Sequence, residues 1–449
     1  MSSPFTVRTA LTALWCAIHT LQYGFHISAL NGVQDAVTCS APGTGGNGTH
    51  LVASPTSGIH LKPCVPMTSA QFGLVVAIFT LGGLTGSFSA SAVTARGGRV
   101  WTLRTSALAV MIGSILVALS NSTTLMLIGR VITGLGCGLA TVTCPLFIAE
   151  IAPPSMKKAL GISNQLFIVI GMLLAQSLSF PFAHPYRWRW VLVASISLAT
   201  LQLVGSVFVR QDQEHSSREA RGGDEETPLL SDAQEKPLSI GQLLTTTDPA
   251  VRRGFLVVIV TQLAQQLCGV SPVMYFSTRI LTPVFQGNSR YIALGIVMMK
   301  LPVTTLPAFL IERVGSKPIL LFSSAIMSVA ALLLAVGLNT DAQALSVIGI
   351  LSFVAAFSVG LGPVTWVVLP EVMPKHAVTA AGSVGLAINW STNFIMASRE
   401  LRGASFLPLQ QWLAGLTGNG EGNIFFIFSA LCVVAFTATR VSYKLRESV

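Results

Sequence analysis

Long apolar runs, each carrying only a few polar positions, recur twelve times along the chain, six before and six after one hydrophilic stretch. Each run is long enough to cross a hydrocarbon core of about 30 Å as an α-helix. A bilayer offers the backbone no hydrogen bonds, so helices that close their own bonds are the expected elements. The pattern predicts helices over 10–31, 70–93, 104–120, 124–148, 160–181 and 189–209, and then over 254–280, 290–311, 318–338, 344–370, 378–398 and 422–440. The expected fold class is an all-α membrane protein with twelve transmembrane helices. Its six-helix halves, 1–209 and 253–449, are joined by a central loop over 210–252.

The connections are readable too. The first loop, 35–68, is rich in Gly, Pro, Ser and Thr and is expected to be irregular. The central loop mixes acid, base, Ser and Gly with few large apolar residues before Pro237, a composition of disorder. Beyond it, Leu238, Ile240, Leu243 and Leu244 fall on one side of a short amphipathic helix suited to the membrane surface. The halves echo one another. Ala95-Arg96-Gly97-Gly98-Arg99 follows the second run and Glu312-Arg313-Val314-Gly315-Ser316-Lys317 the eighth, while Glu150 closes the fourth run and Glu371 the tenth. Such an echo suggests two related halves. Arg96, Arg99, Glu150, Lys157, Glu312, Arg313 and Glu371 are expected to form a cytoplasmic gate, with Arg–Glu pairs holding one half against the other.

Composition removes several function classes. The chain of 449 residues is 51% hydrophobic and 10% charged, where a soluble domain has roughly 25% charged residues. The net charge of +10 raises nucleic acid as a partner, but the basic positions are sorted by side. With the N-terminus inside, Arg8, Arg96, Arg99, Arg104, Lys157, Lys158, Arg313, Lys317, Lys375, Arg440, Lys444 and Arg446 fall on the cytosolic side. The central loop adds six more, and the opposite side keeps Lys62, Arg187, Arg189, Arg279, Arg290, Arg399 and Arg402. This is the positive-inside asymmetry, which places both termini in the cytosol and assigns the charge to topology rather than to nucleic acid. The first run is longer than a signal-peptide core and reads as a true first helix.

Of seven cysteines, five lie within apolar runs as small packing residues; Cys39 and Cys64 flank the first loop, where a disulfide and two free thiols both fit. The same loop holds the glycosylation sequon at Asn47. Two further matches, at Asn121 and Asn389, lie against or within a helix and are discounted. No nucleotide-binding loop and no His/Cys metal cluster is legible, so neither cofactor nor enzyme chemistry is expected.

The ordered motifs carry a resemblance. They comprise Gly129-Arg130 with Gly134, Gly136 and Gly138; Glu150; Ala159-Leu160-Gly161 and Gln165-Leu166; Gln262 through Gly269; Glu312-Arg313; Gly362-Pro363 with Trp366; and Asn389-Trp390 with Asn393-Phe394. In this set the chain resembles the sugar porters of the major facilitator superfamily, which include the facilitative glucose transporters and fungal hexose transporters. The resemblance implies a sugar or polyol site near the bilayer midplane, contacted by Gln165, Gln265, Gln266, Trp366 and Asn389, with Asn31, Ser271 and Lys300 as further substrate-binding candidates. Amides both donate to and accept from sugar hydroxyls, and an indole face packs against the C–H face of a pyranose.

The chain also departs from the family pattern. His26 stands where proton-coupled members carry Asp, facing the arginine that corresponds to Arg130; these two are the coupling candidates. A histidine can titrate near neutral pH, but a neighbouring cation disfavours its charged form, which leans towards facilitated diffusion. Lys300 replaces a sugar-binding asparagine. A charge at that depth faces a cavity or a partner, and an anionic sugar, a neutral lysine or solvation by cavity water all fit. Ser271 replaces another asparagine, and Ser358 a common glutamate. Ala95 and Lys157 depart from the loop motifs, and the motifs that normally follow the sixth and twelfth helices are missing.

Finally, Glu225 precedes Leu229-Leu230 by four residues in the central loop, a pattern similar to acidic dileucine signals read by clathrin-adaptor complexes. It favours an endolysosomal or vacuolar membrane over the plasma membrane. The expectation is alternating-access transport of a hexose or related polyol, with membrane lipid as surroundings. Proton-coupled transport, export from an acidic organelle, and a non-transporting sensor or trafficking factor are the alternatives.

Overall fold

The computed structural model describes residues 7–39, 61–153, 156–209, 238–271, 273, 289–340, 342–398 and 422–447. Helices dominate these residues, with no strand among them. They are α1 (Val7–Ser28), α2 (Gln34–Val37), α3 (Ser69–Ala118), α4 (Thr123–Ile151), α5 (Lys157–Phe182) and α6 (Arg189–Gly205), then α7 (Ile240–Thr245), α8 (Pro249–Leu267), α9 (Ser289–Val314) and α10 (Ser316–Asn339), and last α11 (Gln343–Val359), α12 (Thr365–Val372), α13 (Val378–Ser398) and α14 (Asn423–Glu447). Six helices among the described residues are long and apolar enough to cross a membrane by composition alone. The remaining spans are shorter, broken or lined with polar groups. Phe309, Phe322 and Val434 are each more than half exposed. Large apolar side chains on the outside of the bundle suit lipid as their solvent, as in a multi-pass membrane protein.

Local chemistry accounts for the ends. Thr68 and Gln71 form a reciprocal capping box at the start of α3, and Asp248 caps α8 immediately before Pro249 at the first helical position. Helix α3 contains two of the expected spans. The Thr94 and Thr102 hydroxyls lie 3.0 Å apart, whereas eight residues along a straight helix rise about 12 Å, so the chain folds back between them. The reversal sits at Gly98, with φ 77° and ψ 178°. Gly315, between α9 and α10, has φ 84° and ψ 169°. Both are open to glycine alone at no steric cost, so the sequence echo recurs as one backbone geometry used twice.

Two expected helices differ. The predicted span over 344–370 is broken, because Gly360 ends α11 and α12 starts only at Thr365. Pro363, between them, has no N–H to continue the ladder. The predicted span over 254–280 starts earlier, at Pro249, and its regular part ends at Leu267 just before Gly269, whose φ is 88°; residues 274–288 lie outside the described residues. The short surface helix is α7, which buries Leu243 and leaves Leu244 exposed.

Small residues let the spans approach. A Cβ on Gly24 would lie 1.9 Å from the carbonyl oxygen of Ile168, and one on Gly134 would lie 2.1 Å from that of Phe79. α1 therefore meets α5, and the two legs of α3 meet α4, backbone to backbone. Helices of the second set face the first: α13 packs on α3 and α4, α9 on α5, and α12 on α4 and α5.

At the end of the bundle away from the termini, Cys39 and Cys64 are joined in a disulfide with Cα atoms 5.3 Å apart. The segment beside it is anchored. Val65 N–H donates to Val37 O at 2.8 Å, and both Tyr186 N–H and the Trp188 indole donate to Pro63 O, at 2.9 and 3.0 Å. The Asn121 side chain accepts from Lys62 N–H at 2.9 Å, so this discounted sequon has a structural role. Asn47 lies outside the described residues. Denaturing alkylation without reductant is expected to label five cysteines, and reduction to expose two more, read as mass shifts; seven labels before reduction would exclude the bridge.

Candidate functional site

Among the polar side chains buried inside the spans, a group meets in one cavity of about 80 Å³ between the two sets of spans. That is room for several water molecules. Of the expected binding residues, Gln165, Gln265, Gln266, Ser271, Lys300, Trp366 and Asn389 line it, along with Tyr23, Phe357, Trp390 and Asn393. Asn31 does not. It lies in the 3-10 turn beyond α1, half-buried, while Ile27 one turn earlier reaches the cavity.

Helix α8 presents Gln262, Gln265 and Gln266 on one face, at the three- and four-residue spacings that share a side. The break between α11 and α12 frees backbone carbonyls, and Gln265 collects them: its amide NH₂ donates to Leu361 O at 2.9 Å, Gly362 O at 3.1 Å and Thr365 Oγ1 at 2.6 Å. Gln265 Oε1 in turn accepts from Asn389 at 2.8 Å, Asn389 Oδ1 accepts from Gln266 at 3.0 Å, and Gln266 Oε1 accepts from Ser271 at 2.7 Å. A single polar chain thus runs from a helix break through three helices to the cavity wall. Opposite it, Gln165 on α5 accepts from the Trp366 indole at 3.1 Å. That contact joins the two sets of spans and leaves the Gln165 NH₂ as a donor for a ligand.

Aromatic residues that sequence reasoning passed over complete the wall. The Tyr23 and Trp390 rings lie edge to face at 5.2 Å, and Phe79 meets Trp390 at 5.8 Å. Trp390 and Asn393 stood in the Asn389 motif, and their one-turn spacing carried the signal. Tyr23, one turn before His26 and Ile27, had no comparable mark.

His26 and Arg130 lie outside the cavity lining. His26 Nε2 is 2.8 Å from Ser195 Oγ and 3.4 Å from Ser114 Oγ, facing α6 and the second leg of α3. Arg130 donates to the backbone oxygens of Val75 and His26, at 3.2 and 3.3 Å, and stacks 4.4 Å over the Phe79 ring. The expected facing of the two side chains is thus replaced by a contact from Arg130 to the His26 backbone.

The gate also differs from expectation. At the face where α1 begins and α14 ends, Arg99 grips Glu150 with two hydrogen bonds, one of them 2.6 Å. Lys317 pairs with Glu447 at 2.7 Å, Ser316 donates to the Glu371 carboxylate, and Arg446 donates to Glu371 O at 3.2 Å. Among the described residues these contacts stay within one set of spans. Arg96, Glu312 and Arg313 are exposed, and Lys157 opens α5. Among the described residues, apolar packing spans the seam between the sets, with Leu146, Ile162, Val367, Leu369 and Ala381 in one cluster. Glu225, Leu229 and Leu230 lie outside the described residues.

The model of the family described as sugar (and other) transporter matches residues 12–444. The chain belongs to this family. It is a family of transporters rather than enzymes. A chicken facilitated glucose transporter, member 1 of solute carrier family 2, is 29% identical over 97% of this chain and 90% of its own. The vacuolar protein sorting-associated protein 73 of Saccharomyces cerevisiae is 28% identical over 85% of both chains. The solved structure of the proton:xylose symporter XylE superposes with a TM-score of 0.74 at 19% identity, covering 96% of this chain and 94% of that one. That likeness is one of fold, the major facilitator fold.

Because Asn389 links three amides, Asn389→Leu is expected to lower stability by about 1–3 kcal/mol through the partners it leaves unsatisfied. The thermal midpoint in detergent reads this, and an unchanged midpoint would mean the chain of amides is not structural.

Proposed function

We propose that this protein moves a hexose-sized polyhydroxylated solute across a membrane by alternating access, as facilitated diffusion. The cavity of amides and indoles between the two sets of spans carries this reading. It offers paired donors and acceptors for hydroxyls and flat apolar faces for a ring. The apolar seam beside it supports the mechanism: contacts without charge desolvation can part and re-form as 1–209 and 253–449 rock about the solute. The facilitative mode is favoured by His26, which stands where proton-coupled members carry Asp and is hydrogen-bonded to serines outside the cavity lining. XylE, which is similar in fold, is a proton:xylose symporter, and this keeps coupled transport as the competing mode.

The positive-inside bias supports cytosolic termini, and with it an extracytosolic Asn47 open to glycosylation. The Glu225 to Leu230 signal supports an endolysosomal or vacuolar membrane reached through a clathrin-adaptor complex. The yeast relative, a vacuolar protein sorting-associated protein by name, agrees with that compartment and also favours a second reading, a trafficking factor that binds solute without moving it.

Proteoliposomes supplied with labelled hexoses and polyols separate these readings. Uptake is expected to be independent of a pH gradient and to fall at least about tenfold in Gln265→Ala, the scale of losing one or two buried neutral hydrogen bonds. Stimulation by the gradient would move the assignment to coupled transport, and bound solute without flux to the trafficking reading.

A further inference from the structure

We propose that α13 holds one hydroxyl of the solute between the Trp390 indole and the Asn393 amide; this rests on the cavity being the sugar site. Both residues line the cavity, three positions apart and so on one side of the helix. Trp390 is 2% exposed and Asn393 4%. Yet Trp390 Nε1 and Asn393 Oδ1 have no hydrogen-bond partner among the described residues. The neighbouring amides are already committed. Gln265, Gln266 and Asn389 each donate and accept within the chain that starts at the helix break.

The indole is held in place by its neighbours. Its ring lies edge to face with Tyr23 at 5.2 Å and with Phe79 at 5.8 Å. It also packs so closely on α3 that a Cβ on Gly83 would fall 2.6 Å from it. Packing has therefore already ordered the donor, and binding to it costs little further side-chain entropy. A buried donor or acceptor left without a partner destabilises the protein, and a ligand that answers both removes that cost. The pair also specifies what can answer. An indole N–H only donates and an amide oxygen only accepts. One hydroxyl satisfies both, accepting from Trp390 and donating to Asn393, because it carries a proton and two lone pairs. A C–H at that place satisfies neither. An ether oxygen, a fluorine or a carboxylate can accept from the indole but has no proton for Asn393. The subsite therefore selects a neutral hydroxyl at one carbon of the sugar.

The test uses the full chain in nanodiscs. Binding of labelled D-glucose, D-mannose, D-galactose and D-fructose is measured first, and the tightest is then competed with its monodeoxy and deoxyfluoro analogues. Loss of the hydroxyl at one carbon is expected to weaken binding about tenfold, the scale of two neutral hydrogen bonds, and fluorine there to leave most of that loss. In Trp390→Phe, and separately in Asn393→Ala, the parent sugar is expected to bind more weakly. The penalty at that carbon is expected to shrink to about threefold, one hydrogen bond in place of two, while penalties at the other carbons stay as they were. A residue that merely supports the fold would weaken all analogues alike. The unmodified protein's pattern of penalties, kept in either variant, would overturn the subsite and leave the sugar site standing; Asn393→Ala keeps this reading independent of packing lost with the indole. Absence of binding by all four hexoses would overturn both.

Discussion

No backbone carbonyl can be left bare inside a bilayer, and the site of this protein is organised around a break, between α11 and α12, where a described span gives carbonyls up. The break between α11 and α12 is dictated by Gly360 and Pro363, and Gln265 donates to the carbonyls that the break exposes. Once Gln265 is committed to that task, its oxygen turns to Asn389, and Asn389 turns to Gln266. The positions of the amides follow from one backbone requirement passed along a line of hydrogen bonds. Broken helices that line a binding site are tolerated in membranes for this reason.

The same constraint separates the polar from the moving parts. Where the two sets of spans meet at the termini face, Leu146, Val367 and Leu369 pack in one apolar cluster, and the ion pairs Arg99–Glu150 and Lys317–Glu447 stay inside their own set. Each set is tied together by charge and by glycine-backed contacts such as Gly24 on Ile168. Between the sets, apolar packing is joined at the cavity by a hydrogen bond from Trp366 to Gln165. A solute that competes for Gln165 would act directly on the seam, which is the coupling that alternating access needs.

His26 and Arg130 share a neighbourhood beside the cavity wall. The Arg130 guanidinium bonds backbone oxygens and covers Phe79, which in turn touches Trp390 in the cavity wall. The imidazole turns away to Ser195 and Ser114. The arginine thus reaches the site through two aromatic rings.

Hydrophobic period and length were enough to read the all-α membrane class, the span order and most helix limits, because a bilayer admits so few solutions. The turn glycines at 98 and 315 and the short helix near Leu243 were legible in the same pattern, whereas the residues that line the cavity were expected from the family resemblance, because an amide in an apolar run, taken alone, serves more often as an interhelical hydrogen-bond partner, as Gln22 and Gln202 do. The interruption of the span over 344–370 was hidden, since its apolar run is continuous and Pro363 can sit in a kinked helix as well as in a broken one. Asn31, Tyr23 and the orientation of His26 were also beyond reach. One turn of helix decides whether a side chain meets the cavity or a neighbouring span, and only packing sets that rotation. The sequence by itself determined which polar groups enter the membrane; tertiary structure decided which of them face one another, because that depends on where helices from distant positions in the chain come to rest.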